Sequence, residues 1–186
     1  MDITVWTLER LSTPLGEMLI ASDARQRLRA IEWLDCEARM HSLLRRQYPR
    51  GLPKLVDSAQ ASDAARAMQA YFGGDLDAIH GLDIGLGGTN FQRQIWLLLQ
   101  AIPAGQTVTY RELAARAGRP DAARAVGAAN GANPLAIVVP CHRVVGSDRS
   151  LTGYAGGLAR KQWLLEHERK IAEQEPECMR SSGASH

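Results

Sequence analysis

The stretch Ile137-Val138-Val139-Pro140-Cys141-His142-Arg143-Val144-Val145-Gly146 places a cysteine and a histidine at the end of an apolar, β-branched run. The proline fixes its own φ and has no backbone N–H, so it stiffens the approach to Cys141. This pattern is typical of a thiol that is held in a defined place. It is equally typical of a small structural cysteine in a core, the commonest position of a free cysteine. The rest of the sequence has to distinguish the two.

The composition is that of an ordinary globular protein. The chain has 186 residues, 45% hydrophobic and 23% charged, which is enough for one domain or two small ones. No apolar run has the length of a membrane span, and the acidic N-terminus does not resemble a signal peptide. Cys36, Cys141 and Cys178 are too few and too scattered for a disulfide framework, and no pair has zinc-ligand spacing. We therefore expect a reduced, cytoplasmic protein without a membrane segment.

The charge is distributed unevenly along the chain. Residues 91–161 hold nine basic and three acidic side chains, a net charge of +6. Since the whole chain carries +2, the remainder carries −4. This asymmetry favours a polyanion that faces the C-terminal half. Solvated arginines on helix faces are the alternative, which charge alone does not exclude.

The N-terminal half predicts an α/β structure over residues 1–85. β-branched and aromatic residues indicate a meander of strands at residues 3–8, 18–21 and 28–33, and therefore a small antiparallel sheet. Helical spacing of apolar residues predicts one helix that ends before Pro49 and another near residues 59–72, with Tyr71 on its apolar face. The glycine-rich residues 73–88 are the candidate linker between two domains.

The C-terminal half, residues 88–170, predicts a series of helices. Thr89 and Gln92 fit a capping box at the start of one helix, and Thr109 fits the cap of a short helix that Gly118 closes. A second short helix is expected at residues 122–130, which completes a helix-turn-helix pattern. A last helix carries Lys161, Leu164, Leu165 and Glu168 on one face. We expect the polar tail, residues 171–186, to be disordered with Cys178 exposed.

The helix at residues 122–130 has almost no side-chain bulk apart from Arg124. Such a helix can approach another surface closely, either a protein core or a DNA groove. The surrounding arginines favour the groove. Base-reading polar side chains are nearly lacking, so sequence-specific recognition is not expected.

Several separate motifs together resemble one family. Pro140-Cys141-His142-Arg143-Val144 is similar to the PCHRV active-site motif of the O6-alkylguanine-DNA alkyltransferases, also called methylated-DNA–protein-cysteine methyltransferases. Further matches follow in the same order, at Thr109-Tyr110, Ala123-Arg124-Ala125-Val126-Gly127, Asn133-Pro134, Gly153-Tyr154-Ala155-Gly156-Gly157 and Trp163-Leu164-Leu165 through His167-Glu168. The resemblance is strong over residues 89–168 and weaker before them, and it is closest to the constitutive bacterial Ogt-type branch.

The resemblance implies a DNA repair protein that moves an alkyl group from O6 of guanine, and less readily from O4 of thymine, to its own cysteine. Cys141 is then the nucleophile and acceptor, used once. His142 acts as its base through a water and Glu168 orients His142, as in a catalytic triad. Tyr110 donates a proton near the base, and Asn133 supports the turn around the cysteine. No cofactor is expected, and no metal, because the Cys/His set of metal-containing relatives is missing.

The resemblance also assigns the DNA-binding residues. Arg124 fills the gap that the flipped base leaves, while the small residues Ala123, Ala125, Gly127 and Ala128 let the helix enter the minor groove. The residues implied for the base pocket are Gly153, Tyr154, Ala155, Gly156, Gly157 and Lys161. A surface salt bridge is the alternative for Lys161. The partner is duplex DNA carrying O6-alkylguanine, bound with little sequence preference by a monomer in the cytoplasm or nucleoid.

The implied fold is a ribonuclease-H-like α/β domain followed by a mostly α-helical, winged-helix-like domain. Three other functions are weighed against repair. A non-catalytic binder of alkylated DNA would lack the cysteine of the motif. A helix-turn-helix regulator would carry more base-reading side chains. In a cysteine hydrolase, the cysteine and histidine are usually far apart in the chain.

Overall fold

The computed structural model describes residues 4–49 and 51–181, with side chains as far as residue 174. The N-terminal half contains a four-stranded sheet in the order β3-β2-β1-β4. Its strands are β1 (Val5–Thr13), β2 (Gly16–Ser22), β3 (Leu28–Trp33) and β4 (Lys54–Asp57). The three strands predicted from sequence are confirmed. The expected antiparallel sheet is wrong in one respect, because β4 pairs parallel to β1 and makes the sheet mixed.

Both faces of this sheet are buried. Helix α1 (Glu37–Gln47) covers one face with Met40 and Leu44. Helix α2 (Asp63–Phe72) and the C-terminal half cover the other. Helix α2 begins later than residue 59 because the Ser62 side chain accepts from the backbone N–H of Ala65 and so caps the helix.

The C-terminal half is largely helical. It contains α3 (Asn90–Gln100), β5 (Val108–Thr109), α4 (Tyr110–Arg116), α5 (Ala123–Gly131), β6 (Val144–Val145) and α6 (Leu158–Ser181). Capping boxes at Thr89 and Thr109 start α3 and α4, which confirms the cap at Thr89 with Gln92 and shows that Thr109 pairs with Glu112. Gly118, with φ +71°, closes the α4 region as predicted. The helix-turn-helix pair is therefore α4 and α5.

Residues 73–88 pack along the sheet. The N–H of Gly85 donates to the carbonyl of Leu28, and the N–H of Leu28 donates to the carbonyl of Asp83. Leu76 and Ile79 are buried in the same apolar core as residues of both halves. The glycine-rich segment thus lies against the edge at β3 and contributes to a continuous core.

Helix α6 is longer than the sequence predicted. It continues to Ser181, and Ile171 packs against the core. Disorder from residue 171 onwards is therefore wrong for the start of the tail, because this part of α6 still has an apolar surface to cover. The side chain of Cys178 lies outside the described residues, so its exposure stays a prediction. None of the described helices is both long and apolar enough to cross a bilayer.

Candidate active site

Cys141 begins a 3-10 turn, Cys141–Arg143, directly after Pro140. The preceding apolar run is buried but is a turn, with Ile137 at φ +72°. A β-branched residue in this conformation costs about 1–3 kcal/mol, so the surroundings must impose it. The Asn133 side chain does so: its Nδ2 donates to the carbonyl of Val139 at 2.7 Å, and its Oδ1 accepts from the N–H of Leu135 at 2.9 Å. Asn133 thereby holds the turn that presents Cys141.

The Cys141 thiol is buried, with 9% of the residue exposed. Burial raises the pKa of Cys141, although a hydrogen bond with Asn133 and the charges of Arg39 and Lys161 lower it in part. The protonated thiol is therefore the resting form at neutral pH. Because the thiolate is the nucleophilic form, the site needs a base to activate it.

His142, the neighbour of Cys141 in the chain, forms a fully buried pair with Glu168. His142 Nε2 lies 2.8 Å from Glu168 Oε1. Burial lowers the pKa of His142, an effect that Glu168 partly opposes. Burial raises the pKa of Glu168, but His142 and Arg143 lower it more, to well below its usual range. Glu168 is therefore a carboxylate that only accepts, so Nε2 of neutral His142 carries the hydrogen and Nδ1 is free to accept a proton.

Three residues that the sequence did not assign to the site complete the surroundings of Glu168. Arg143, 2% exposed, donates through Nε at 3.0 Å and through Nη2 at 2.8 Å. The Tyr71 hydroxyl donates to Oε1 at 2.8 Å, and the N–H of Gly105 donates to Oε2 at 3.2 Å. The position of Arg143 next to His142 was a local signal for its role. Tyr71 had none beyond its place on an apolar helix face.

Tyr110 lies between α5 and the loop of residues 153–157. A Cβ atom on Gly127 would lie 3.7 Å from its ring, and one on Gly153 would lie 3.4 Å from its hydroxyl oxygen. Burial and the nearby Cys141 raise the pKa of Tyr110, while Asn130 and Thr152 lower it in part. Tyr110 thus keeps its hydroxyl proton at neutral pH within the group of residues around the thiol.

The loop of residues 153–157 packs against the N-terminal half. A Cβ atom on Gly156 would lie 2.4 Å from Nε1 of Trp33 in β3, so only glycine fits there. The Tyr154 hydroxyl is buried, and burial together with Cys141 holds the pKa of Tyr154 well above its ordinary value. The Trp33 indole N–H lies beside this hydroxyl without reaching hydrogen-bond geometry. Gly153, Ala155 and Gly157 are the exposed residues of the loop.

Lys161 is fully buried, so the surface salt bridge considered as its alternative is wrong. Its Nζ donates to the carbonyl of Thr152 at 2.6 Å and to the carbonyl of Val144. Burial lowers its pKa to about 8. Among the described residues, no carboxylate forms an ion pair with it. Lys161 ties helix α6 to the turn after Cys141 and to the loop before Tyr154, and it carries a charge at neutral pH.

The residues predicted to bind DNA lie on α5, on a different surface from the buried pair. Arg124, Ala125 and Ala128 are exposed, and Ala123 and Gly127 are half-buried. The opposite face of α5 packs inward, and Trp96 Nε1 donates to the carbonyl of Ala129 at 2.9 Å. Asn130, at the buried end of α5, reaches the carbonyl of Cys141 at 3.5 Å. Helix α5 and Cys141 are therefore adjacent, but the outer face of α5 is exposed to solvent whereas the thiol is buried.

Nothing in the described part of the chain groups three or more His, Cys, Asp or Glu side chains as a metal ion requires. The side chains described above supply a thiol, an imidazole, a carboxylate and a phenol.

Comparison with known proteins places this geometry in a family. Residues 90–170 match the family model of the 6-O-methylguanine DNA methyltransferase DNA-binding domain. A methylated-DNA–protein-cysteine methyltransferase of Salmonella typhimurium is 51% identical over 160 residues, which are 86% of this chain and 94% of that protein. The chain belongs to the methylated-DNA–protein-cysteine methyltransferases. The resemblance that the motifs indicated is confirmed. A relative from Shigella flexneri with the same name is 47% identical over the same shares of both chains.

Solved structures of family members share the fold. A crystal structure of Mycobacterium tuberculosis OGT in complex with DNA has a TM-score of 0.73 and 36% identity, over 89% of this chain and 94% of that chain. The O6-methylguanine-DNA methyltransferase of Pyrococcus kodakaraensis has a TM-score of 0.69 and 28% identity, over 88% of this chain and 99% of that chain. Both halves of the chain, the mixed sheet and the helical part, are thus covered by this likeness.

Proposed function

We propose that this protein repairs duplex DNA by moving a methyl or larger alkyl group from O6 of guanine, and less readily from O4 of thymine, to Sγ of Cys141. The observation that carries the proposal is a buried thiol followed directly in the chain by a buried imidazole whose Nε2–H is fixed by the Glu168 carboxylate at 2.8 Å. This arrangement supplies a nucleophile, a base and a group that orients the base.

The step balances as follows. The thiol proton passes to Nδ1 of His142 through a bridging water, and the thiolate attacks the alkyl carbon. The S–C bond forms as the C–O6 bond breaks, and the electron pair of that bond goes to the guanine. The Tyr110 hydroxyl gives its proton to the guanine as this charge develops, and the proton held by His142 then returns through solvent to Tyr110, so that neutral guanine and neutral side chains remain. The product is a thioether, which water does not cleave.

Burial of the thiol suits a protein that acts once. The raised pKa of Cys141 keeps the resting group protonated, so it is a poor target for solvent oxidants and other electrophiles. The lowered pKa of His142 keeps the imidazole neutral and able to accept the proton. Lys161, with a pKa of about 8, is still charged at pH 7 and favours the thiolate once it forms.

DNA is bound through α5 in this proposal. Its exposed face has only Arg124 as a long side chain, so the helix can lie deep in the minor groove and contact backbone and sugars. The target base is flipped out of the stack, because its O6 substituent is unreachable inside the duplex, and Arg124 occupies the space left behind. The loop of residues 153–157 and Lys161 wall the pocket that receives the base. Recognition is then largely independent of sequence.

The finer features of the fold and its setting belong to the same proposal. Residues 1–85 form a ribonuclease-H-like domain and residues 88–170 a winged-helix-like domain. The protein acts as a monomer in the cytoplasm, associated with the nucleoid through DNA.

Labelled DNA tests the proposal. Protein mixed with an excess of duplex carrying radiolabelled O6-methylguanine is expected to take up one equivalent of label in a burst and then stop. Cys141→Ala, which keeps a small apolar side chain, is expected to bind the duplex and take up none. Continued turnover beyond one equivalent would refute the single-use reaction. Binding without any uptake by the natural protein would instead favour a non-catalytic binder of alkylated DNA.

A further inference from the structure

Helix α2, in the N-terminal half, reaches the carboxylate of the candidate site. The Tyr71 hydroxyl lies 2.8 Å from Glu168 Oε1, the same oxygen that His142 Nε2 contacts at 2.8 Å. All three side chains are fully buried. Tyr71 and Glu168 are 97 residues apart in sequence, so the contact exists only because α2 packs against α6.

Aromatic side chains on α6 hold the end of α2 in place. His167 Nε2 lies 2.9 Å from the backbone carbonyl oxygen of Tyr71, and the two rings meet edge-to-face at 5.6 Å. Phe72 packs against Trp163 at 5.9 Å, and Trp163 stacks on His167 at 4.7 Å. The Tyr71 ring therefore has little freedom, and its hydroxyl points at Glu168.

The direction of this hydrogen bond follows from the chemistry of the partners. Glu168 is a carboxylate and can only accept, so the Tyr71 hydroxyl donates. Burial and the neighbouring Glu168 hold the pKa of Tyr71 well above its ordinary value, so the hydroxyl keeps its proton. Tyr71, His142 and Nη2 of Arg143 thus all donate to Oε1, and each reduces the electron density available to the others.

We propose that Tyr71 is a positioning residue for alkyl transfer, which shares Glu168 Oε1 with His142 and so fixes the imidazole and limits its protonation. The inference rests on the proposed function, because it requires His142 to accept the thiol proton. It assigns the N-terminal half a part in the chemistry as well as in the fold.

Tyr71→Phe tests this role, since phenylalanine keeps the ring contacts and removes only the hydroxyl. With free O6-benzylguanine as substrate, which takes DNA binding out of the measurement, we expect the transfer rate at pH 7 to fall about three- to tenfold. The acid limb of the pH–rate profile is expected to move up by about half to one unit, because Oε1 then favours protonated His142 more strongly.

Tyr48→Phe is the matched control. The Tyr48 hydroxyl accepts from Arg29 Nη1 at 3.1 Å, and the residue packs in the core on the other face of the sheet. We expect its rate and pH profile to equal those of the natural protein. Thermal unfolding of both variants shows whether a loss of rate reflects a loss of fold.

The outcomes separate the two proposals. If Tyr71→Phe lowers the rate without moving the acid limb, or changes neither, while His142→Ala abolishes transfer, the role of Tyr71 is refuted and the proposed function stands. If His142→Ala transfers the benzyl group at the natural rate, the base of the proposed function is refuted and the role of Tyr71 with it.

Discussion

Replacing Glu168 by glutamine tests how much of the site depends on one buried carboxylate. Glu168 accepts from the Tyr71 hydroxyl, His142 Nε2, the N–H of Gly105 and two nitrogens of Arg143. Glutamine has the same shape, but it has one acceptor oxygen, and its NH2 group donates. Whichever carboxylate oxygen is replaced, at least two donors lose their acceptor and face another donor.

The expected cost follows from these contacts. A hydrogen bond to a charged group contributes about 1.5–3 kcal/mol. Removing one partner of a buried ion pair costs about 3–5 kcal/mol, and here it leaves the Arg143 guanidinium, 2% exposed, without its counterion. The hydrogen-bond range and the ion-pair range describe the same contacts, so the larger range is the expected loss and the two are not summed. We expect Glu168→Gln to lower the free energy of unfolding by about 3–5 kcal/mol, or Tm by about 6–20 °C for a chain of this size.

Urea unfolding at pH 7, followed by tryptophan fluorescence, measures this difference. Glu166→Gln is the matched control, because Glu166 lies on the same helix and is half-buried, and among the described residues it accepts from Gln162 Nε2 alone, at 2.9 Å. We expect the control to change stability by less than about 0.5 kcal/mol. If Glu168→Gln is as stable as this control, the carboxylate does not hold the site together and the argument fails.

The stability difference between the natural protein and Glu168→Gln should also depend on pH. Burial raises the pKa of Glu168, but His142 and Arg143 bring it below its unfolded value of 4.5. The contribution of Glu168 to stability is therefore complete above pH 4.5 and is lost as pH falls below that value. The stability gap between the natural protein and Glu168→Gln should narrow from pH 4.5 towards pH 3. A gap that stays constant over this range would contradict a depressed pKa.

Two further substitutions test the surfaces around the thiol. For Arg124→Ala, repair of duplex should fall at least about tenfold while reaction with free O6-benzylguanine changes less than about twofold, because only the duplex needs a flipped base. Arg45→Ala, at an exposed position on α1, is the control and should change neither rate. Equal losses on both substrates for Arg124→Ala would contradict the role of Arg124. For Gly156→Ala, the new Cβ would lie 2.4 Å from Trp33 Nε1 and 2.8 Å from Tyr154 Cε1, so the loop must shift. Reaction with free O6-benzylguanine should slow about tenfold, and an unchanged rate would show that this loop does not wall the base pocket.

The elements that the sequence predicted well are those with local signals. The capping box of Thr89 with Gln92 and the helix cap at Thr109 depend on residues three positions apart, and both are present. Strand β4 was missed because residues 54–57 contain only two apolar side chains and become a strand by pairing with β1, about fifty residues earlier. That pairing is also what makes the sheet mixed.

The same distinction holds in the site. Cys141 and His142 are neighbours in the chain, so a motif could indicate both. Tyr71 could be predicted to be buried, but its contact with Glu168 depends on how α2 meets α6. Lys161 was placed on the same helix face as Leu164, and both side chains are fully buried, although the burial of Lys161 was not predicted. The carbonyl groups that accept from its Nζ come from the turn and the loop, whose positions are set by tertiary packing.

The N-terminal half contacts the surroundings of the site at several separate points. Trp33 meets the loop at Gly156, and Tyr71 meets Glu168. Arg39 pairs with the buried Glu32 and donates to the carbonyls of Gly131 at 2.6 Å and Asn133 at 3.3 Å. These contacts reach the loop of residues 153–157, the Glu168 carboxylate, and the junction of α5 with the turn before Cys141. A thiol that reacts once has no later turnover in which to correct its geometry, so a rigid frame on three sides serves it better than mobility would.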